Sequence, residues 1–412
     1  MSFDTARLKN ALWGIFISDA MSMPAHWYYK RDYIKEGFDG GIVDYNDAPH
    51  PHPESFMVGN GYFPNIEKAQ ELGLAYDILG KHSKFYTCNY DDTKIKLSVH
   101  AGEHANPMPA LQERYHYHHG LKKGENTLGA NLMRVLMRSI ISNRGYSQEG
   151  FINDFISYMT QNDQNHDPYS EIYVRAWFEN YTRGVPPYAC AQEQRKVWSI
   201  GSSGGVIRPL LLSLTSKSSY QALGKALQHQ QITHRSDNVS SALTVLVPLL
   251  HELLRKEEPL STLKRHASKV QLIKIKGADL TRAYAQHMGP GNIPKDEMWK
   301  IHTEFSDRQL DLDFLLNHHS EKDILGTVFT TGCYTEHSLP VLMYLLYKYK
   351  FDFKDCVLAN ANAGGDNVHR GIILGMLAGA ANDEIPQDLK AGLKEYQNIK
   401  KEIDDFVNLI NP

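Results

Sequence analysis

Apolar residues recur at helical spacing over most of the chain. Leu8, Ala11, Leu12 and Ile15 share one face of a helix predicted over 3–18, and Ala11, Gly14 and Ser18 supply small side chains for close packing. After residue 127, Leu132, Val135, Leu136, Ile140 and Ile141 form one stripe, and Phe151, Phe155, Ile156 and Met159 the next. Ala222, Leu223, Ala226 and Leu227 make another, followed by apolar segments at 240–254, 340–349 and 371–381. Strand-like alternation is scarce, so the pattern predicts an all-α fold.

Residues 30–110 interrupt this pattern with Pro, Gly, His, Asn and Tyr. His50-Pro51-His52-Pro53 and Asn106-Pro107-Met108-Pro109 are loop signals, because a proline pushes the residue before it out of the α region. Within that stretch a helix is expected at 66–79. No internal repeat, low-complexity tract or linker divides the helical part. The expected organisation is therefore a single domain over 1–412, with a long irregular insertion after the first helix, at 30–120, acting as a lid.

Composition narrows the class. A chain of 412 residues with 42% hydrophobic and 22% charged residues has the balance of a soluble globular protein. A formal net charge of −3 provides no basic excess for nucleic acid or an anionic membrane. No run of 18 apolar residues is present, and the first residues lack the basic and apolar regions of a signal peptide. Cys88, Cys190, Cys333 and Cys356 are far apart, which reads as reduced thiols in a cytoplasmic protein rather than a disulfide framework or zinc site.

The segment 360–371 carries the most chemistry. Gly364 and Gly365 precede Asp366, and the apolar helix Ile372, Ile373, Leu374, Met376 and Leu377 follows. Such a loop lets backbone approach a ligand closely, and the helix N-terminus favours anionic groups. A plain helix cap at Asp366 is the alternative use.

This segment resembles the G-G-D-T-D-T motif of the ADP-ribosylglycohydrolase family and the small-residue helix that follows it. Four further segments match in order. Ala11–His26, with Ser18-Asp19-Ala20 and Met23-Pro24-Ala25-His26, resembles the family's first helix and its G-D-A-x-G-x-P-x-E. Ser202–Pro209, containing Ser203, Gly204 and Gly205, resembles G-N-G-A-A-M-R-x-x-P, and Ile232–Arg235 resembles T-H-x-x-P. Thr331–His337 resembles the approach to the last helix pair. Together the matches cover 5–28 and about 124–381, and they imply the family's helical fold.

The resemblance also implies two Mg²⁺ or Mn²⁺ ions, held between an early T-D-D-T cluster and the late G-D-T-D-T cluster. Two segments compete for the early position. Tyr90-Asp91-Asp92-Thr93 matches by letters, whereas Gly124-Glu125-Asn126-Thr127 is followed by the helix pair that the family requires. Position favours the second and makes Glu125 and Asp366 the candidate metal ligands. The late cluster departs at Val368 and His369, and His26 replaces the early glutamate, so a weaker site, a softer ion or no metal at all are the expectations.

The run Tyr115–Gly120 adds His116, His118 and His119 just before Glu125, and histidine titrates near neutral pH. The candidate catalytic set is thus Glu125, Asp366, His118 and His369. The candidate substrate-binding set is Asn126, Thr127, Ser203, Gly204, Gly205, Gly364, Gly365, Asn367, Arg370 and His26. The expected function is a hydrolase that cleaves a glycosidic bond of ADP-ribose or a related ribosyl compound, small or protein-linked. The alternatives are an inactive relative that binds ADP-ribose or a nucleotide, or serves as a scaffold, and a metal-independent enzyme using His118, His119 or His369 as base.

Overall fold

The structure, a computed structural model, describes residues 2–55, 111, 114–161, 164–272, 308–326 and 328–412. The helix expected at 66–79 and the Asp91-Asp92 pair lie outside these residues.

The described chain is built from helices, as the hydrophobic pattern predicts. The N-terminal part comprises α1 (Thr5–Ser22), α2 (Arg31–Gly37), α3 (Leu128–Ser142), α4 (Gln148–Thr160) and α5 (Ile172–Thr182). The middle comprises α6 (Gly204–Ser213), α7 (Ser219–Gln230), α8 (Asp237–Leu253), α9 (Pro259–Ala267), α10 (Leu312–His318) and α11 (Glu321–Ile324). The C-terminal part comprises α12 (Thr335–Lys348), α13 (Phe353–Ala363), α14 (Asn367–Ala381), α15 (Gln387–Ala391) and α16 (Tyr396–Ile410). Among the described residues, named strands are limited to Gln192–Glu193 and His234–Arg235, which pair in parallel. No helix among them is long and apolar enough to cross a membrane.

One correction concerns 31–37, which the sequence places in the irregular stretch. It forms a short helix that buries only Ile34, so no apolar stripe announces it.

Every residue of α14 is buried, as expected of a helix that is apolar all round. Its closest neighbour is α1, and the contact runs backbone to backbone. A Cβ added at Gly14 would lie 2.0 Å from the Gly375 carbonyl oxygen, and one at Gly375 would lie 2.2 Å from that of Gly14. Further along, Gly379 abuts the Asn10 carbonyl, while Gly371 faces Ser18 and Ser22. The four-residue spacing of Gly371, Gly375 and Gly379 thus meets Ser22, Ser18, Gly14 and Asn10 in reverse order. The two helices are antiparallel, so the end of α1 is brought to the start of α14, which places His26 beside Asp366.

Candidate functional site

Three chain segments are clamped together to make the site. Trp27 N–H donates to the Gly365 carbonyl (2.8 Å), Gly365 N–H donates back to the Tyr28 carbonyl (2.7 Å), and Asp366 N–H donates to the Thr331 carbonyl (2.8 Å). Gly364 and Gly365 have φ of +64° and +63°. A Cβ on either would lie 2.1 and 2.0 Å from the carbonyl oxygens of Tyr28 and Thr331, so both conformation and space require glycine. Arg370 is spent on the same loop, donating to Asn360 Oδ1, the Thr331 carbonyl and the Gly364 carbonyl. Asn367 bonds the end of α13 through the Ala361 carbonyl. Both residues shape the loop through internal bonds.

Asp366 is the N-cap of α14, accepting from the His369 N–H at 3.4 Å, so the capping use is real. It does more than cap. Its Oδ1 lies 3.2 Å from His26 Nε2 and 2.7 Å from His369 Nδ1, while its Oδ2 is buried with no hydrogen-bond partner. The opposite edge of His369, Nε2, lies 2.9 Å from Glu171 Oε1. The opposite edge of His26, Nδ1, lies 2.6 Å from His118 Nε2, and His118 Nδ1 lies 2.9 and 3.0 Å from the two oxygens of Asp167. A continuous line therefore runs Asp167–His118–His26–Asp366–His369–Glu171, and all six side chains are buried.

The neighbours fix these groups. Asp167 also accepts from the N–H of Leu128, the first residue of α3, and from Tyr169 N–H. Glu171 accepts from Ser202 Oγ at 3.3 Å, and a Cβ at Gly204 would fall 2.1 Å from its Oε1. Gly129 leaves room for the His369 ring in the same way. His52 and His116 bond the carbonyls of His26 and Pro24, and so hold the turn that carries His26. Trp27 stacks on His26 at 4.7 Å, and Tyr169 meets His26 and His118 edge-on.

Burial lowers the His26 pKa to about 3 with help from the neighbouring His118 and His369, against the pull of Asp366. His369 is opposite: burial disfavours its charge, yet Asp366 and Glu171 on either side outweigh burial and hold its pKa well above normal. Asp366 is correspondingly held below the usual carboxylate range: burial opposes its charge, and His369 and His26 overcome that.

The remaining sequence-predicted residues fall in other places. Glu125 lies outside this line: its carboxylate pairs with the Lys394 ammonium and accepts from Lys122 N–H. Asn126 and Thr127 are buried and both bond Asp19, through Asn126 Nδ2 (2.9 Å), Thr127 N–H (2.8 Å) and Thr127 Oγ1 (2.6 Å). Ser203 bonds the Cys333 carbonyl through its N–H, and Gly205 packs against His234 and Val239. Arg208 and His234 belong to a separate buried group, Tyr173–Arg208–Thr233–His234. Sequence reasoning missed Asp167 and Glu171. The dense polar run Asn165-His166-Asp167 before Pro168 was the available signal.

A profile of the ADP-ribosylglycohydrolase family matches residues 2–412. The chain belongs to that family. Among solved structures it is similar to one titled "ADP-ribosylglycohydrolase-related protein complex", with a TM-score of 0.53, 15% identity and 98% of each chain covered. At that identity the likeness speaks for the fold alone. No curated protein matches the chain.

As an ADP-ribosylglycohydrolase-family chain it can be tested against the two-magnesium centre implied by the resemblance. Magnesium takes oxygen ligands, several of them carboxylates. Here two imidazoles converge on Asp366, Asp19 is saturated by Asn126 and Thr127, and Glu125 is paired with Lys394. The described residues do not fit a two-magnesium centre. They do bring together a His/Asp group able to hold an ion, His26, Asp366 and His369, whose ligand atoms lie within 4.8 Å of one another.

Proposed function

We propose that this family member hydrolyses a glycosidic bond to ADP-ribose or a related ribosyl group, and that Asp366 is the centre of the reaction. The observation carrying this reading is the free Oδ2 of Asp366, a buried acceptor beside two imidazoles. A protein that needed Asp366 only as a cap would have no use for the second oxygen, and burying it unsatisfied costs about 1–3 kcal/mol.

In this reading Oδ2 orients a water against the anomeric carbon. As the water oxygen bonds to that carbon, its proton passes to the Asp366–His26 edge, and His26 and His118 relay it towards Asp167. The bond from the anomeric carbon to the leaving nitrogen or oxygen breaks with its electron pair, and the proton taken from the water returns along the same relay to that atom. His369, held between Asp366 and Glu171, fixes the other side of the carboxylate. Magnesium or manganese, the ions expected of a standard family member, finds weak support in this donor set.

The test is release of free ADP-ribose from arginine- and serine-linked peptides and from small ribosyl conjugates. Asp366→Asn keeps the cap but removes the carboxylate charge, and is expected to lower release at least about 100-fold, the scale of a lost general base. Parent protein that releases nothing from the whole panel would overturn the hydrolase reading. ADP-ribose binding without turnover would then favour a binding protein, a reading supported by the Lys394-paired Glu125.

A further inference from the structure

The hydrogen atoms in the buried line can be assigned from its ends. Asp167 and Glu171 are carboxylates, so each accepts: His118 donates through Nδ1 to Asp167, and His369 donates through Nε2 to Glu171. A neutral His118 then has a bare Nε2, which accepts from His26 Nδ1 across 2.6 Å. With both rings neutral, the same logic leaves His26 Nε2 and His369 Nδ1 bare, and both point at Asp366 Oδ1, at 3.2 and 2.7 Å. Two nitrogen lone pairs and a carboxylate thus face one another in the buried interior. Such an arrangement repels itself unless positive charge lies among them.

We propose that His26 Nε2, His369 Nδ1 and Asp366 bind a single divalent transition-metal ion of the cobalt–zinc class, in place of the family's magnesium pair. Three independent features of the geometry support it. Ligand atoms around one ion at about 2.0–2.2 Å are roughly 3–3.5 Å apart. Here His26 Nε2 and His369 Nδ1 lie 3.2 and 2.7 Å from Asp366 Oδ1, and all the ligand atoms lie within 4.8 Å of one another, so a small adjustment of the rings would seat an ion. Each ligating ring is backed on its far edge by an acceptor, Glu171 directly for His369, and His118 with Asp167 behind it for His26, which is how metal-binding histidines are oriented. Finally, Asp366 Oδ2 lacks any partner and would be satisfied by the ion or its bound water. Two imidazoles and one carboxylate select against magnesium and leave positions open for water.

The competing account fills the same gaps with protons, making His369 an imidazolium ion-paired to Asp366 and Glu171. It leaves Oδ2 unsatisfied. The proposal deepens the reading of Asp366 given above, but its measurement does not depend on turnover.

The experiment is titration of Co²⁺ into the metal-stripped full chain, followed by visible ligand-field absorption, with Zn²⁺ and Mg²⁺ as competitors. The expected result is saturation at one Co²⁺ per chain, displacement by Zn²⁺, and no displacement by excess Mg²⁺. His369→Gln and Asp366→Asn should abolish the bands. Glu171→Gln, which spares all three ligands, should weaken binding by about 10–100-fold. His318→Ala, an exposed histidine on α10, should bind like the parent and excludes surface histidines as the source. Circular dichroism of each variant separates a lost site from a lost fold, and Glu171→Gln remains decisive if a ligand variant unfolds. Absence of one-equivalent binding by the parent, equal competition by Mg²⁺, or parent-like binding by Glu171→Gln overturns the proposal. Metal uptake without any ribosyl hydrolysis would instead retire the hydrolase and leave the site standing.

Discussion

Removing the Asp19 carboxylate would strand three donors at once: Thr127 N–H, Thr127 Oγ1 and one Asn126 N–H, all buried. Burial raises the Asp19 pKa in spite of these bonds, so its charge is costly to bury and the three donors offset part of that cost. Asp19→Ala is expected to destabilise the chain by roughly 2–4 kcal/mol, since each buried unsatisfied group costs about 1–3 and the site relaxes only in part. Urea midpoints measure this. Glu125→Ala, by contrast, breaks a pair with a half-exposed Lys394 and should change stability by less than about 1 kcal/mol. It should also leave ribosyl release within a few-fold of the parent, and a 100-fold loss would restore Glu125 to the reaction. The contrast marks what residue-level reading of the sequence could reach. Asp366, His369, His118 and His26 were visible because they occupy or adjoin a recognisable motif. Asp167 and Glu171 come from an unremarked loop before α5, and the Lys394 that claims Glu125 is 269 positions away. Letters alone carry neither fact.

At the scale of elements, the seam between α1 and α14 decides where the site can exist. Its glycines are there because two helix backbones touch, leaving no volume for a methyl group. Gly14→Ala and Gly375→Ala would each press a Cβ onto a carbonyl oxygen of the other helix, at 2.0 and 2.2 Å before relaxation. Each is expected to cost about 1–3 kcal/mol or more, because an overfilled contact must move backbone. Thermal denaturation would show it, and unchanged melting in both would mean the seam is looser than these contacts imply. The effect should extend to function, since prising the helices apart separates His26 from Asp366. The small residues of α1 at 11, 14 and 18 were legible as a packing face. Their partner was not, because nothing in the spacing says which of many helices a small-residue face will meet. Long stripes such as those in α3, α4 and α8 were read correctly for the converse reason: fifteen or so residues of regular period need no knowledge of the neighbour. The short α2 had no such period to show.

For the molecule as a whole, the N-terminal and C-terminal segments meet beside the end of α8. Asp4 N–H donates to the Leu254 carbonyl, Asn411 Nδ2 donates to the Phe3 carbonyl, and Lys217 Nζ donates to Asn411 Oδ1. That closure could not be read from a list of helices, although the order of five family motifs made the fold class itself legible. His251 is buried at this junction, edge-on to Phe3 at 4.9 Å, with Nε2 against the Ser213 carbonyl and Nδ1 without a partner. Burial, reinforced by the nearby Arg255 and Lys217, lowers its pKa from 6.5 to about 4. The unfolded chain therefore binds the proton first. Between pH 6.5 and 4 the unfolded state holds more protons at this position, so stability falls as pH falls through that window and is flat above it. The full shift corresponds to about 3 kcal/mol, an upper bound given how close to the junction's surface the cations lie. His251→Gln removes the titration while keeping a donor for Ser213. Its stability, subtracted from that of the parent by urea melts at pH 7 and pH 4.5, should narrow or reverse in favour of the variant at the lower pH. A difference that stays constant across the two pH values would show that His251 takes up its proton as readily in the folded junction as in the open chain.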